Sequence, residues 1–114
     1  MSTLVVESPG LLTTVQDLGR MGYGALGVSP SGAADTVAMR LGNLLVGNPT
    51  GAAVLEMTLL GGRFLFPQGA VVALAGADFG ASLDGRAAEM WTPHVVEPGM
   101  KLVLGATNNY ARCY

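Results

Sequence analysis

Residues 79–91 have the sequence FGASLDGRAAEMW, and this stretch indicates the architecture of the chain. Two short segments, 79–83 and 86–91, flank the dipeptide Asp84-Gly85, which favours the tight turn of a two-residue β-hairpin. This is the clearest hairpin signal in the sequence. The stretch therefore predicts two paired strands within a region rich in short strands.

The same pattern of short strands and turns continues on both sides of this hairpin. The dipeptide Gly61-Gly62 lies between segments 53–60 and 63–66 and predicts a second hairpin. Pro98-Gly99 predicts a type II turn between segments 95–96 and 101–104. Further strand segments are 3–7, 11–17, 70–75 and 110–114. Because many short strands follow one another closely, we expect a mainly β fold, as a β-barrel or a strongly curved sheet.

One segment, about residues 33–46, predicts a single helix that caps one end of the barrel. Ser31 is placed to cap the helix N-terminus, and Asp35 complements the positive end of the helix dipole. Glycine and proline at 47–49 end the helix. The predicted buried face consists of Val37, Ala38, Leu41, Leu44 and Leu45. Gly42 lies in the middle of the helix, where it predicts a close backbone contact.

The composition limits the classes of function. The chain has 114 residues, enough for a single domain over 1–114, and 50% of them are hydrophobic while 12% are charged. This balance excludes intrinsic disorder, and a net charge of −2 excludes a nucleic-acid binder built on basic charge. No apolar run approaches the ~20 residues of a membrane span, and one cysteine, Cys113, cannot form an internal disulfide, so we expect a cytoplasmic protein. The low charge predicts that part of the surface is covered in a larger assembly. Because the sequence stops at Tyr114 in the middle of a predicted strand, we also expect the isolated chain to be inactive and to self-associate.

A glycine-rich loop between residues 18 and 32 leads into the predicted helix and is the first candidate binding site. Backbone N–H groups of such a loop can hold an anion, and an arginine can add a bidentate contact. The residues that border this candidate cleft are Gln16, Asp17, Arg20, Ser31 and Asp35. The alternative is a structural loop in which Asp17 pairs with Arg20 and Ser31 caps the helix.

The helix supplies two more candidates, Arg40 and Asn43, which the spacing places on a face opposite the leucines. They either line a cleft or contact a partner, or they form a solvated face. Glu56 and Asp78 both lie in apolar sequence, which suits acid–base chemistry if they are buried. The alternative places Glu56 outward on its strand and Asp78 in a turn.

His94 and Lys101 suggest chemistry that their surroundings do not support. A single histidine without neighbouring ligands predicts no metal site. Lys101 follows Gly99 and Met100, as in a biotin-attachment turn, but it begins a strand. We therefore expect no covalent biotin on this chain.

Several sequence blocks carry a resemblance to a known family. These blocks are GLLTTVQDLGR at 10–20, SGAAD at 31–35, RLGN at 40–43, LVGN at 45–48, ALAGAD at 73–78 and LDG at 83–85. With them the chain resembles the N-terminal part of the C subunit of 5-oxoprolinase. This family is also known as allophanate hydrolase subunit 2, as the KipI antagonist (KipA) and as biotin-dependent carboxyltransferase-like proteins. Met21 and Ala34 depart from the family pattern.

The resemblance implies a cyclophilin-like β-barrel within a longer carboxyltransferase-like subunit. It implies a partner, the B subunit of the same complex, and a C-terminal half beyond this sequence. The complex would use ATP to open 5-oxoproline or a related small amide or lactam. The resemblance assigns no catalytic residue on this chain. The alternative function within the same family is a regulatory protein that antagonises a kinase-inhibitor partner and has no chemistry of its own.

Overall fold

The computed structural model describes residues 3–17, 32–107 and 111–114. Within these ranges the chain is mainly β, as predicted, with one helix. The elements are β1 (Val5–Ser8), β2 (Leu12–Gln16), α1 (Thr36–Leu45), β3 (Val54–Thr58), β4 (Arg63–Phe66), β5 (Ala70–Val72), β6 (Ser82–Leu83), β7 (Arg86–Ala87), β8 (His94–Val96), β9 (Met100–Val103) and β10 (Arg112–Cys113).

The strands of the described residues form three antiparallel sheets. The largest has the order β1-β4-β9-β6-β7, the second has the order β10-β3-β2, and β5 pairs with β8. An isolated bridge between Gly76 and Cys113 connects the segment after β5 to β10, and a second bridge joins Leu60 to Ala106. The closure of these sheets into a barrel stays a prediction.

The hairpin predicted at Asp84-Gly85 is confirmed. Leu83 pairs with Arg86 across the turn, and Asp84 and Gly85 have φ values of 46° and 83°. Two successive residues with positive φ are what a type I′ turn requires. The turn at Pro98-Gly99 is also confirmed, because the backbone N–H of Met100 donates to the carbonyl of Glu97 over 3.1 Å.

The hairpin predicted at Gly61-Gly62 is wrong. Strand β3 pairs with β2 and β10, whereas β4 pairs with β1 and β9, so the chain crosses from one sheet to another between them. A Cβ on Gly61 would lie 2.3 Å from the Cβ of Leu104, and one on Gly62 would lie 2.5 Å from the carbonyl oxygen of Ser8. These glycines therefore allow a close crossing of backbones rather than a turn.

Two apolar clusters lie on opposite sides of β10. Cys113 belongs to the larger cluster, together with buried Phe64 and Phe79. Tyr114 follows Cys113 directly and packs into the smaller cluster with Met39 of α1. Because successive side chains of a strand point to opposite faces, this short strand joins the main core to the helix.

Helix α1 begins later than predicted and has a different cap. It starts at Thr36, and its N-cap is Asp35, whose Oδ1 accepts a hydrogen bond from the backbone N–H of Ala38 over 3.0 Å. The prediction that Ser31 caps this helix is therefore wrong, and Ser31 itself lies outside the described residues. Asp35 fills the position because a short carboxylate on extended backbone reaches the N–H of the third helical residue.

The buried face of α1 also differs from the prediction. The helix buries Ala38, Met39 and Asn43, whereas Val37, Leu41 and Leu44 are 66%, 43% and 58% exposed. The close contact predicted at Gly42 is confirmed, because a Cβ there would lie 3.3 Å from the Cβ of Ala75. The helix packs through Ala38, Met39, Gly42 and Asn43, whereas Val37, Leu41 and Leu44 face outward.

Candidate functional site

The start of α1 is held by a buried carboxylate of β3. Glu56 is 9% exposed. Its Oε2 accepts hydrogen bonds from the backbone N–H of Ala34 over 2.8 Å and from the hydroxyl of Tyr114 over 2.7 Å. The Tyr114 hydroxyl in turn accepts from the backbone N–H of Asp35 over 2.7 Å. One network of hydrogen bonds therefore joins β3, Tyr114 and the helix start.

Arg112 forms an ion pair with the other carboxylate oxygen of Glu56. Its Nε lies 3.8 Å from Oε1 of Glu56, and strand β10 pairs with β3 so that Arg112 is opposite Thr58. Both side chains are largely shielded, with exposed fractions of 29% for Arg112 and 11% for Glu56. Asp35, Glu56, Arg112 and Tyr114 are called the helix-start cluster below.

The acid–base properties around the cluster favour positioning over proton transfer. Burial raises the pKa of the Tyr114 hydroxyl well above its usual value, and the hydrogen bond to Glu56 raises it further. The phenol therefore stays protonated and donates to Glu56. Burial, with a smaller contribution from the charge of Asp78, raises the pKa of the neighbouring Cys113 thiol to about 12. This thiol is unsuited to act as a nucleophile, because thiolate is the reactive form.

An open cavity lies directly beside the helix-start cluster. Its lining includes Asp35, Val37, Gly76, Trp91 and Arg112. Trp91 is 44% exposed and has a φ of 60°, which is uncommon for a bulky residue. The lining of the cavity thus combines an arginine, an aspartate and an exposed tryptophan.

A second cavity, of about 210 Å³, lies between α1 and the main core. Its lining is mostly apolar and includes Met39, Val54, Phe64, Leu74 and Tyr114. It shares Tyr114 with the helix-start cluster. It lies between the two apolar clusters and is partly open, since exposed Leu4 and Val71 also line it.

The structure brings two of the sequence-predicted site residues, Asp17 and Asp35, to the start of the helix. The backbone carbonyl of Asp17 accepts a hydrogen bond from the N–H of Ala33 over 2.9 Å, so the two ends of the glycine-rich loop meet beside Asp35. Gln16 precedes Asp17 at the end of β2, and its Nε2 donates to Oγ1 of Thr14 over 3.1 Å. Arg20, like Ser31, lies outside the described residues.

Arg40 and Asn43 do not share a solvated face, contrary to the sequence prediction. Arg40 is exposed, but Asn43 is only 2% exposed. The Nδ2 of Asn43 donates to the carbonyls of Thr50 and Ala52 over 3.1 and 2.8 Å, which holds the loop between α1 and β3. An amide with these partners satisfies buried carbonyls inside the fold. A binding role for either residue stays a prediction.

Sequence reasoning did not select Arg112, Tyr114 or Trp91. Side chains alternate between the two faces of a strand, so a strand at 110–114 puts Arg112 and Tyr114 on one face. The sequence does not show that β10 pairs with β3, which is distant along the chain. The outward position considered for Glu56 is wrong, because the side chain is buried. Asp78 is the turn residue of the alternative interpretation, since its Oδ1 accepts from the N–H of Gly80 over 2.8 Å.

The remaining polar candidates have structural contacts. The Nε2 of His94 lies 2.8 Å from the carbonyl oxygen of Glu89. Lys101, in β9, forms an ion pair with Glu7 at 3.2 Å. Among the described residues, no group of three His, Cys, Asp or Glu side chains is arranged to hold a metal ion. In the same part of the chain no helix has the length and apolar character needed to cross a membrane.

The comparison with known proteins identifies the family. The family described as "Carboxyltransferase domain, subdomain A and B" matches residues 26–114. The chain belongs to this carboxyltransferase family. It is 40% identical to the C subunit of 5-oxoprolinase from Escherichia coli over 97% of its length, and 40% identical to urea amidolyase of Lachancea kluyveri over 96%. The crystal structure of Kluyveromyces lactis urea carboxylase superimposes with a TM-score of 0.92, at 37% identity over 97% of this chain.

The chain spans only part of these relatives. It covers 36% of the E. coli protein and 6% of the L. kluyveri enzyme. It also covers 10% of the K. lactis urea carboxylase chain. The family and fold are therefore those of one portion of larger proteins.

Proposed function

We propose that this chain is the N-terminal part of a subunit of ATP-dependent 5-oxoprolinase, or of a related carboxyltransferase or amide-hydrolase complex. The observation that carries the proposal is the 40% identity with the C subunit of E. coli 5-oxoprolinase, which extends over 97% of the chain. The substrate class is a small lactam or urea-like amide. The expected partners are the remainder of the same polypeptide and the B subunit of the complex.

In this proposal the described residues position a site rather than perform its chemistry. Both oxygens of Glu56 already have partners, in Ala34, Tyr114 and Arg112. A carboxylate held in this way fixes the geometry around it, because both of its oxygens are already engaged within the fold. We expect the reacting groups to come from the rest of the polypeptide or from its partner, where ATP is used.

The candidate cleft of this proposal is bordered by the helix-start cluster and the glycine-rich loop. Asp17 and Asp35 lie at the two ends of that loop, and Arg20 remains the residue expected to bind an anionic group there. Arg112 and Trp91 extend the cleft into the open cavity beside α1. A guanidinium and an indole suit a small planar substrate that carries a carboxylate or a polarised carbonyl.

The test is an ATP-turnover assay of the full-length protein with its partner subunits. ATP hydrolysis is measured with 5-oxoproline, with urea and with no amide, at equal protein concentration. We expect ATP turnover that depends on one of the two amides and releases the corresponding product. If the complex is shown to be assembled and its rate of ATP hydrolysis is the same with either amide as without, the proposal is contradicted. This result would favour the regulatory function.

A further inference from the structure

Trp91 combines an exposed side chain with an unfavourable backbone conformation. The side chain is 44% exposed and lines the open cavity beside α1, and the φ of the residue is 60°. A bulky residue rarely adopts this left-handed conformation, whereas glycine adopts it without strain. A large aromatic side chain is therefore exposed at a backbone position that disfavours it.

The conformation of Trp91 is fixed by the residues around it. Its backbone N–H donates to the carbonyl of Leu74 over 2.7 Å. On one side of it, the hydroxyl of Thr92 donates to the carbonyl of Met90 over 3.2 Å. Strained residues that their surroundings hold in place are concentrated at ligand-binding sites. The indole is thus held beside the cavity by contacts within the fold.

The polar side chains that line the same cavity are those of Asp35 and Arg112. An ionised carboxylate only accepts hydrogen bonds, and a guanidinium only donates them. An amide group has the complementary pair, since its N–H donates and its carbonyl accepts. Arg112 is also paired with Glu56 at 3.8 Å. Two carboxylates therefore accompany one guanidinium here, which favours a neutral polar group over a further negative charge.

The remaining lining residues leave space next to the indole. Apart from Val37 they have small side chains, and they are Ala34, Ala38, Gly76, Ala77 and Ala111. A cavity with an aromatic ring and a few polar groups is typical of a small-molecule site.

We propose that this cavity binds a small lactam, whose ring packs on the indole of Trp91 and whose amide group hydrogen-bonds with Asp35 and Arg112. This inference rests on the proposed function, because it takes as ligand one of the two amide classes named there. The lactam ring supplies apolar area for the indole, and the amide supplies one donor and one acceptor. A urea-like amide has the polar groups but lacks the ring. Trp91 is then a residue that determines specificity.

The experiment is a set of binding titrations by NMR, with the full-length protein assembled with its partner subunits and without ATP. The ligands are 5-oxoproline, 2-pyrrolidinone, which has the lactam without the carboxylate, and cyclopentanecarboxylate, which has a ring and a carboxylate without the amide. Trp91→Asn removes the ring and tolerates a positive φ, whereas Trp91→Phe keeps an aromatic ring. The matched control is Val95→Ala, which removes an exposed side chain of β8 that does not line this cavity. Thermal unfolding verifies that each variant is folded.

We expect Trp91→Asn to raise the dissociation constants of both lactams at least about fivefold, because the packing of the ring on the indole is lost. Trp91→Phe and Val95→Ala should stay within about twofold of the unsubstituted protein. Cyclopentanecarboxylate should bind at least about tenfold more weakly than 5-oxoproline, because it cannot form the amide hydrogen bonds. The inference would be overturned by absence of lactam binding, by unchanged dissociation constants in Trp91→Asn, or by equally tight binding of cyclopentanecarboxylate.

The titrations distinguish this inference from the proposed function. If the complex hydrolyses 5-oxoproline but Trp91→Asn binds it as tightly as the unsubstituted protein, the inference fails and the proposed function stands. If both lactams bind in a manner that depends on Trp91 but neither 5-oxoproline nor urea changes the rate of ATP hydrolysis, the inference stands and the proposed function fails.

Discussion

Glu56 is the residue on which the candidate site depends. A buried carboxylate is costly unless it is paired and hydrogen-bonded, and here Ala34, Tyr114 and Arg112 satisfy that condition. Tyr114 has a double role, because its hydroxyl donates to Glu56 and accepts from the backbone of Asp35. Loss of this one hydroxyl therefore leaves two buried groups with fewer partners.

We predict that Tyr114→Phe lowers the free energy of unfolding by about 1–3 kcal/mol, because a hydrogen bond to a charged group and a cap contact are lost together. The measurement is denaturant unfolding of the full-length protein, in a double-mutant cycle with Glu56→Gln. A coupling energy of at least ~0.5 kcal/mol is expected for residues in one network. Gln16→Ala is the control, since its hydrogen bond to Thr14 is local. Additive effects of Tyr114→Phe and Glu56→Gln, with no coupling energy between them, would contradict this prediction.

At the scale of elements, the sequence predicted local turns well and long-range pairing poorly. The turn at Asp84-Gly85 follows from the conformations that these two residues allow, so it could be predicted from four neighbouring positions. The crossing at Gly61-Gly62 has the same local signal, but its cause lies in Leu104 and Ser8, which are distant in sequence. A glycine pair fits both a tight turn and a close backbone approach.

The helix shows a second limit of the sequence pattern. Its apolar spacing correctly predicted a helix, but the aliphatic side chains Val37, Leu41 and Leu44 face outward. The fold instead uses Gly42 for close packing and Asn43 to bind the following loop. A periodic pattern identifies an apolar face without identifying which part of the protein covers it. For the same reason the candidate site was found only at its loop end, through Asp17 and Asp35, and not at Glu56 and Tyr114.

We predict that Gly61→Ala is strongly destabilising, by more than ~2 kcal/mol, because its Cβ would lie 2.3 Å from the Cβ of Leu104 and both backbones would have to shift. Thermal or denaturant unfolding measures the effect. The matched control is Gly47→Ala, where nothing lies within 4 Å of the added Cβ and the φ of 77° alone is unfavourable. That control should cost about 1–2 kcal/mol. Equal effects at the two positions would show that the crossing is not tightly packed.

At the scale of the whole molecule, several observations fit the proposal that this chain is one part of a larger protein. The chain belongs to a carboxyltransferase family and covers 36% of its E. coli relative. Only 12% of its residues are charged, whereas about 25% is typical of soluble globular domains. The exposed apolar side of α1, formed by Val37, Leu41 and Leu44, adjoins the open cavity at the helix start, and Val37 belongs to both. We expect both to be covered or completed by the rest of the polypeptide.

A segment exchange in E. coli 5-oxoprolinase tests the proposed function. This chain replaces the segment of the C subunit to which it is 40% identical, and ATP-dependent hydrolysis of 5-oxoproline is assayed after assembly of the complex has been verified by size-exclusion chromatography. A matched chimera with Leu41→Asp tests whether the exposed apolar side of α1 is needed for assembly or activity. We predict that the unsubstituted chimera hydrolyses 5-oxoproline above the level of a complex that lacks the C subunit. We also predict that the Leu41→Asp chimera loses assembly or activity. An unsubstituted chimera that assembles fully and hydrolyses no 5-oxoproline would contradict the proposed function.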